Sequence, residues 1–126
     1  MSFRLTYATM FNPPEEMHER FERALATMRG RLGKTHPMFI DGKDVAAATT
    51  EERRSPIDNE ILLGRFPSAS AKEVDSALAA AQRAFPAWRD AGTATRVALM
   101  RRVARILEER VYEIAAALVL EVGKNR

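Results

Sequence analysis

The chain has 126 residues, 46% of them hydrophobic and 29% charged, a composition of a soluble folded domain and not of a disordered one. It contains no cysteine, which excludes disulfides, thiolate metal sites and thiol nucleophiles together. The formal charge of +3 and the pI near 9.7 come from Lys and Arg interleaved with Glu along helices. That pattern is a solvated mixed-charge surface and argues against a nucleic-acid footprint.

No apolar run is long enough to cross a bilayer, the longest being Ile114 to Leu120 inside an amphipathic pattern. The start Met1-Ser2-Phe3-Arg4 lacks the apolar middle of a signal peptide, so a cytoplasmic protein is expected.

Asn12-Pro13-Pro14-Glu15-Glu16 is a helix start, with Asn as cap, Pro tolerated in the first turn and acids facing the positive helix end. Met17, Phe21, Leu25, Met28 and Leu32 follow at helical spacing, and Gly33 stands where a left-handed cap belongs; the expected helix covers 13–32. The pattern then becomes extended. His36 to Ile40 runs into Asp41-Gly42, a dipeptide that accepts the positive φ values of a tight hairpin, and Lys43 to Ala46 is the return strand. Thr49 to Ser55 and Ile61 to Phe66 read as two more strands, separated by Pro56-Ile57-Asp58-Asn59. So few short strands can neither close into a barrel nor bury both faces.

Ser70 and Glu73 form a capping box that opens a helix whose apolar face is Val74, Leu78, Ala81, Phe85 and Trp88; Pro86 is expected to end or kink it near Phe85. Thr93 or Thr95 starts the next, with Val97, Met100, Val103, Ile106 and Leu107 on one side. A last helix over 111–121 is expected to turn Ile114, Leu118 and Val122 inward and to stop at Gly123.

A search for chemistry returns little. The six glycines form neither usual nucleotide loop. His18 and His36 have no companion ligand or nucleophile pattern. Ser55 precedes a proline in a turn and Ser70 is a helix cap, which accounts for both without nucleophile status. The pairs Glu15-Glu16, Glu51-Glu52 and Glu108-Glu109 are sequence neighbours and do not converge on one point when helical. Trp88 and Tyr112 lie in apolar helical patterns that suit packing better than base stacking. The expected catalytic, cofactor-binding and metal-binding residues of this chain are therefore none.

From Pro37 onward the sequence nevertheless resembles the aldehyde dehydrogenase superfamily. The residues that carry the resemblance are Phe39-Ile40-Asp41-Gly42, Ser55-Pro56 ahead of the Ile61-to-Arg65 strand, Ala84-Phe85-Pro86-Ala87-Trp88-Arg89, Arg96, and Glu121-Val122-Gly123-Lys124. The helical arm leading into Leu32 to Met38, and Gly123-Lys124-Asn125, resemble the pyrroline-5-carboxylate (glutamate semialdehyde) branch.

The resemblance implies an α/β fold consisting of a helical arm, a small antiparallel β unit and amphipathic helices, incomplete without downstream chain. It divides the chain into an N-terminal arm and helix (1–35), short strands (36–67) and truncated helices of the cofactor-binding region (68–126). For the intact enzyme it implies NAD or NADP and a thiol mechanism: a cysteine attacks the aldehyde, the adduct gives hydride to the dinucleotide, and a glutamate-activated water hydrolyses the thioester. Those residues lie beyond Arg126 in the family, so this chain is expected to be inactive alone and to bind no dinucleotide. The implied substrate is L-glutamate 5-semialdehyde, in proline breakdown; the implied assembly is a homo-oligomer, with no nucleic acid and no membrane. The alternative is a non-catalytic remnant or interaction module derived from the same fold.

Overall fold

The computed structural model describes residues 13–125. Among the described residues four helices and five strands follow in the order α1 (Glu15–Arg29), β1 (Lys34–Thr35), β2 (Met38–Ile40), β3 (Lys43–Val45), β4 (Thr49–Arg54), β5 (Leu62–Ser68), α2 (Ala71–Asp90), α3 (Gly92–Glu109) and α4 (Val111–Val122). No helix among the described residues is long and apolar enough to cross a membrane.

Helix α1 is shorter than its periodicity predicts. Pro14 occupies the cap position with no side-chain hydrogen bond, and Asn12 lies outside the described residues. At the other end Gly30 stays right-handed, and the chain makes two further turn bonds, Arg31 N–H to Met28 and Leu32 N–H to Arg29. Gly33 is left-handed as expected (φ 76°), but its N–H goes to the Leu63 carbonyl on β5 at 3.1 Å. The pull of that sheet contact ends the helix before the stripe runs out. Phe21 is buried, with Met17, Leu25 and Met28 half-buried on the same side, and this face packs against α4.

The strands form two sheets, not one. The β2–β3 hairpin pairs Ile40 with Lys43 across Asp41 (φ 54°) and Gly42 (φ 73°), both left-handed, which is the two-residue turn that matches the twist of paired strands. In the other sheet, of order β1-β5-β4, β5 is central; β4 lies antiparallel to it with an irregularity between Arg53 and Arg54. The expectation of an antiparallel unit misses β1, which runs parallel to β5 through Lys34↔Gly64 and Thr35↔Arg65. Two residues show no alternation, so periodicity has nothing to detect there.

Gly64 makes this approach possible. A Cβ on it would stand 3.0 Å from the Lys34 carbonyl oxygen and 3.1 Å from the His36 ring. Gly64→Ala is therefore expected to part β1 from β5 at a cost of about 1–3 kcal/mol. Faster amide exchange at His36, whose N–H donates to the Arg65 carbonyl at 2.9 Å, is the accompanying signal.

The capping box of α2 is formed: Lys72 N–H donates to Ser70 Oγ at 3.2 Å and Ser70 N–H to the Glu73 carboxylate at 2.9 Å. Pro86, expected to end or kink the helix, does not end it: α2 continues to Asp90. Proline removes a single N–H donor there, and the helix end is secured from outside, because Arg96 of α3 donates to the carbonyls of Trp88 (3.4 Å) and Arg89 (3.1 Å). Gly92 (φ 73°) then turns the chain into α3.

In α4 the inward residues are Ala116 and Leu120, which are buried, while Leu118 and Val122 are exposed. The expected stripe is thus rotated. Ile114, Leu118 and Val122 are a self-consistent helical row, but so are Ala116 and Leu120, and only the position of α1 and of Ser55 selects between them. Gly123 ends the helix in the left-handed conformation, as expected (φ 69°).

Candidate functional site

The buried centre of the chain is where β4 ends and α4 ends. Ser55 is fully buried; its Oγ donates to the Leu120 carbonyl at 2.5 Å, and its N–H donates to the Ile61 carbonyl at 3.0 Å. One of the carbonyls left open at the end of α4 is thereby satisfied by a side chain 65 positions away. The hydroxyl donates to a backbone oxygen and so joins the end of β4 to the end of α4. The sequence offered a turn before Pro56 and no sign of this burial.

The other chemically capable groups are dispersed. His18 lies half-buried on α1, its Nδ1 without a hydrogen-bond partner among the described residues. His36 stacks on Phe66 with ring centroids 4.9 Å apart and is exposed. Ser70 is the cap described above. Trp88 is exposed on α2 and Tyr112 half-buried on α4. Among the described residues no three His, Asp or Glu side chains converge as metal ligands.

An open groove of about 170 Å³ between α1 and α4 is lined by Arg23, Ala24, Thr27, Met28, Arg31 and Glu113. Its one carboxylate is shared between two arginines. Glu113 accepts from Arg31 at 2.8 Å and from Arg110 at 2.8 Å, and Thr27 Oγ donates back to the Arg23 carbonyl. The Arg110 hydrogen bond, then its charge and that of Arg31, hold the Glu113 carboxyl below the usual glutamate range. A carboxyl lowered on folding contributes stability that is present above the unfolded value, about 4.3, and lost as pH falls through the lower folded value. Acidification through that window is expected to loosen the first turn of α4, where Arg110 and Glu113 pair, read as faster amide exchange there with little change in α1. Glu113→Gln should flatten the response.

The start of α2 does not suit the pyrophosphate of a dinucleotide. Such a group needs free N–H donors at a helix start and room for close backbone approach. At α2 the Lys72 N–H is already engaged by Ser70 Oγ and the Ser70 N–H by the Glu73 carboxylate, which would repel a phosphate. Its carboxyl is held low first by the Ser70 hydroxyl and then by the Ser70 N–H, so it is charged at neutral pH. No reaction step is assigned to a dinucleotide on this chain.

Both the sequence and the fold of the chain are similar to those of known dehydrogenases. A relative from Staphylococcus haemolyticus, a 1-pyrroline-5-carboxylate dehydrogenase, is 34% identical over 110 residues, covering 87% of this chain and 21% of its own length. The human methylmalonate-semialdehyde/malonate-semialdehyde dehydrogenase is 37% identical over 93 residues, covering 72% of this chain and 17% of its own. The structure of the Thermus 1-pyrroline-5-carboxylate dehydrogenase with bound NAD superposes with a TM-score of 0.88 at 30% identity, over 99% of this chain and 24% of that one. The chain thus spans about a fifth of the length of these curated relatives. The aldehyde dehydrogenase family model matches residues 44–126, from the return strand of the hairpin through α4, and the chain belongs to that family.

Proposed function

We propose that this chain is the N-terminal portion of an NAD- or NADP-dependent aldehyde dehydrogenase that oxidises L-glutamate 5-semialdehyde to glutamate in proline catabolism. The carrying observation is the reach of the likeness. The Thermus 1-pyrroline-5-carboxylate dehydrogenase superposes on 99% of the chain, α1 included, whereas the family model begins at Asp44. The alignment with the Staphylococcus enzyme is likewise longer than that with the methylmalonate-semialdehyde enzyme, 110 against 93 residues.

In this reading residues 1–35 are an arm, 36–67 a strand region and 68–126 helices of the cofactor-binding region. The chain supplies scaffold and no catalytic, cofactor-binding or metal-binding residue. Thiol, general base and dinucleotide site belong to the rest of the enzyme, which works in the cytoplasm as a homo-oligomer, away from nucleic acid and membrane. What supports the scaffold role is the use made of the polar groups here: each of Ser55, Ser70, Glu73 and Arg96 is engaged in holding backbone ends.

The test is to read the coding sequence past Arg126 and to assay the complete product. The expected result is a continuation with a cysteine nucleophile and faster turnover of L-glutamate 5-semialdehyde than of simple alkyl aldehydes. The reverse preference overturns the substrate assignment. The chain alone should give no aldehyde-dependent reduction of dinucleotide.

A further inference from the structure

The β2–β3 hairpin is a sheet of its own: among the described residues its two strands pair with each other and with no third strand, through Met38↔Val45, Phe39↔Asp44 and Ile40↔Lys43. A two-stranded hairpin is marginal by itself in water, so its opening costs little unless something else holds it. Helix α2 supplies the hold. It packs against β2, and Arg83 donates to the Asp41 carboxylate at the tip of the turn at 3.0 Å.

Asp41-Gly42 is also the one Asp-Gly pair of the chain, and there is no Asn-Gly pair. An aspartyl side chain can close on the backbone nitrogen that follows it, and glycine leaves that nitrogen unshielded. The turn presents both reacting groups to water. The Asp41 side chain is 63% exposed, and a Cβ on Gly42 would meet nothing within 4 Å. The last pair of the ladder is Ile40 with Lys43, so the Gly42 N–H stands outside it. Both turn residues are left-handed in the closed hairpin (φ 54° and 73°), and ring closure requires the turn to open. Arg83 ties the carboxylate to α2 and so opposes both that opening and the swing of the carboxyl group onto the Gly42 nitrogen.

We propose that Asp41-Gly42 is a spontaneous modification site at which the backbone isomerises to isoaspartate, and that Arg83 restrains the conversion. In the first step the Gly42 nitrogen bonds to Cγ of the protonated side chain, and the amide proton leaves with the carboxyl hydroxyl as water. Water then adds back to the five-membered imide. Breaking the bond from nitrogen to the side-chain carbonyl restores aspartate; breaking the bond from nitrogen to the original backbone carbonyl gives isoaspartate, and no electrons change hands. The product has one more carbon in its main chain and a carboxylate on a shorter stem. The two-residue turn no longer closes on it, and the hairpin is released from α2.

The test incubates the complete product of the coding sequence at neutral pH in oxygen-labelled water and locates isoaspartate and label by peptide fragmentation. The expected result is both at Asp41 and neither at Asp75, because Asp75-Ser76 lies inside α2, where the helix ladder engages the Ser76 N–H. Arg83→Ala should speed conversion about two- to fivefold, the range that an exposed ion pair supports, and Arg83→Lys should restore most of the restraint. Amide exchange in Arg83→Ala should rise across 38–45 while the β4–β5 pair keeps its protection. Asp41→Glu keeps a carboxylate but needs a larger ring, and should abolish the product. Isoaspartate no more frequent at Asp41 than at Asp75 overturns the site. A rate unmoved by Arg83→Ala, or raised only along with loss of protection in β4–β5, overturns the role of Arg83.

Discussion

Leu120→Ala is expected to lower the unfolding free energy by about 2–5 kcal/mol, the range for deleting a large buried aliphatic side chain. Leu120 is 1% exposed and is the largest fully buried side chain among the described residues. With so few other buried apolar groups, namely Phe21 and Ala116, its loss removes a large share of the interior. The substitution keeps the residue's carbonyl, so the bond from Ser55 can persist. Ser55→Ala does the opposite: it keeps the packing and leaves that carbonyl buried without its donor, an expected cost of about 1–3 kcal/mol. Because both residues stabilise one joint, the two losses should not add, and the coupling is the informative quantity. Urea unfolding followed by far-ultraviolet circular dichroism measures the two single variants and the double variant. Simple additivity would mean that the strand region and the end of α4 are held independently.

Phe21→Ala is expected to cost about 3–5 kcal/mol and to release α1 from α4. Phe21 is the sole side chain of α1 that is buried; the ion pair between Arg31 and Glu113 at 2.8 Å lies in solvent and contributes little by comparison. Hydrogen exchange should show α1 opening while the β4–β5 pair keeps its protection. A control is Phe39→Ala in the hairpin, where the ring is 74% exposed and the change should stay within about 0.5 kcal/mol. If α1 keeps its protection without Phe21, the arm is held by the flanking half-buried residues and not by the ring.

Local chemistry made much of this architecture readable in advance. Asp41-Gly42 could only be the tight turn it is, Ser70 and Glu73 cap α2, and Gly123 stops α4, because each depends on residues within a few positions of one another. The errors all occur where a distant contact competes with a local preference. Gly33 gives its N–H to Leu63 and shortens α1; Arg96 reaches back to Trp88 and Arg89, so α2 runs through Pro86; β1 exists because Gly64 has no side chain.

What the sequence by itself determined, then, is the order of elements, their caps and turns, and which helical faces are apolar, since these follow from backbone preferences and from periodicity. What only the tertiary structure decided is which apolar face is used. Two rows on α4 satisfy the same periodicity, and the placement of α1 and of Ser55 buries Ala116 and Leu120 and leaves Leu118 outside. On α2 and α3 the predicted faces are formed and uncovered. Hydrophobic burial is non-directional, so a sequence can announce that a face wants a partner, but the identity of that partner is a property of the assembled fold.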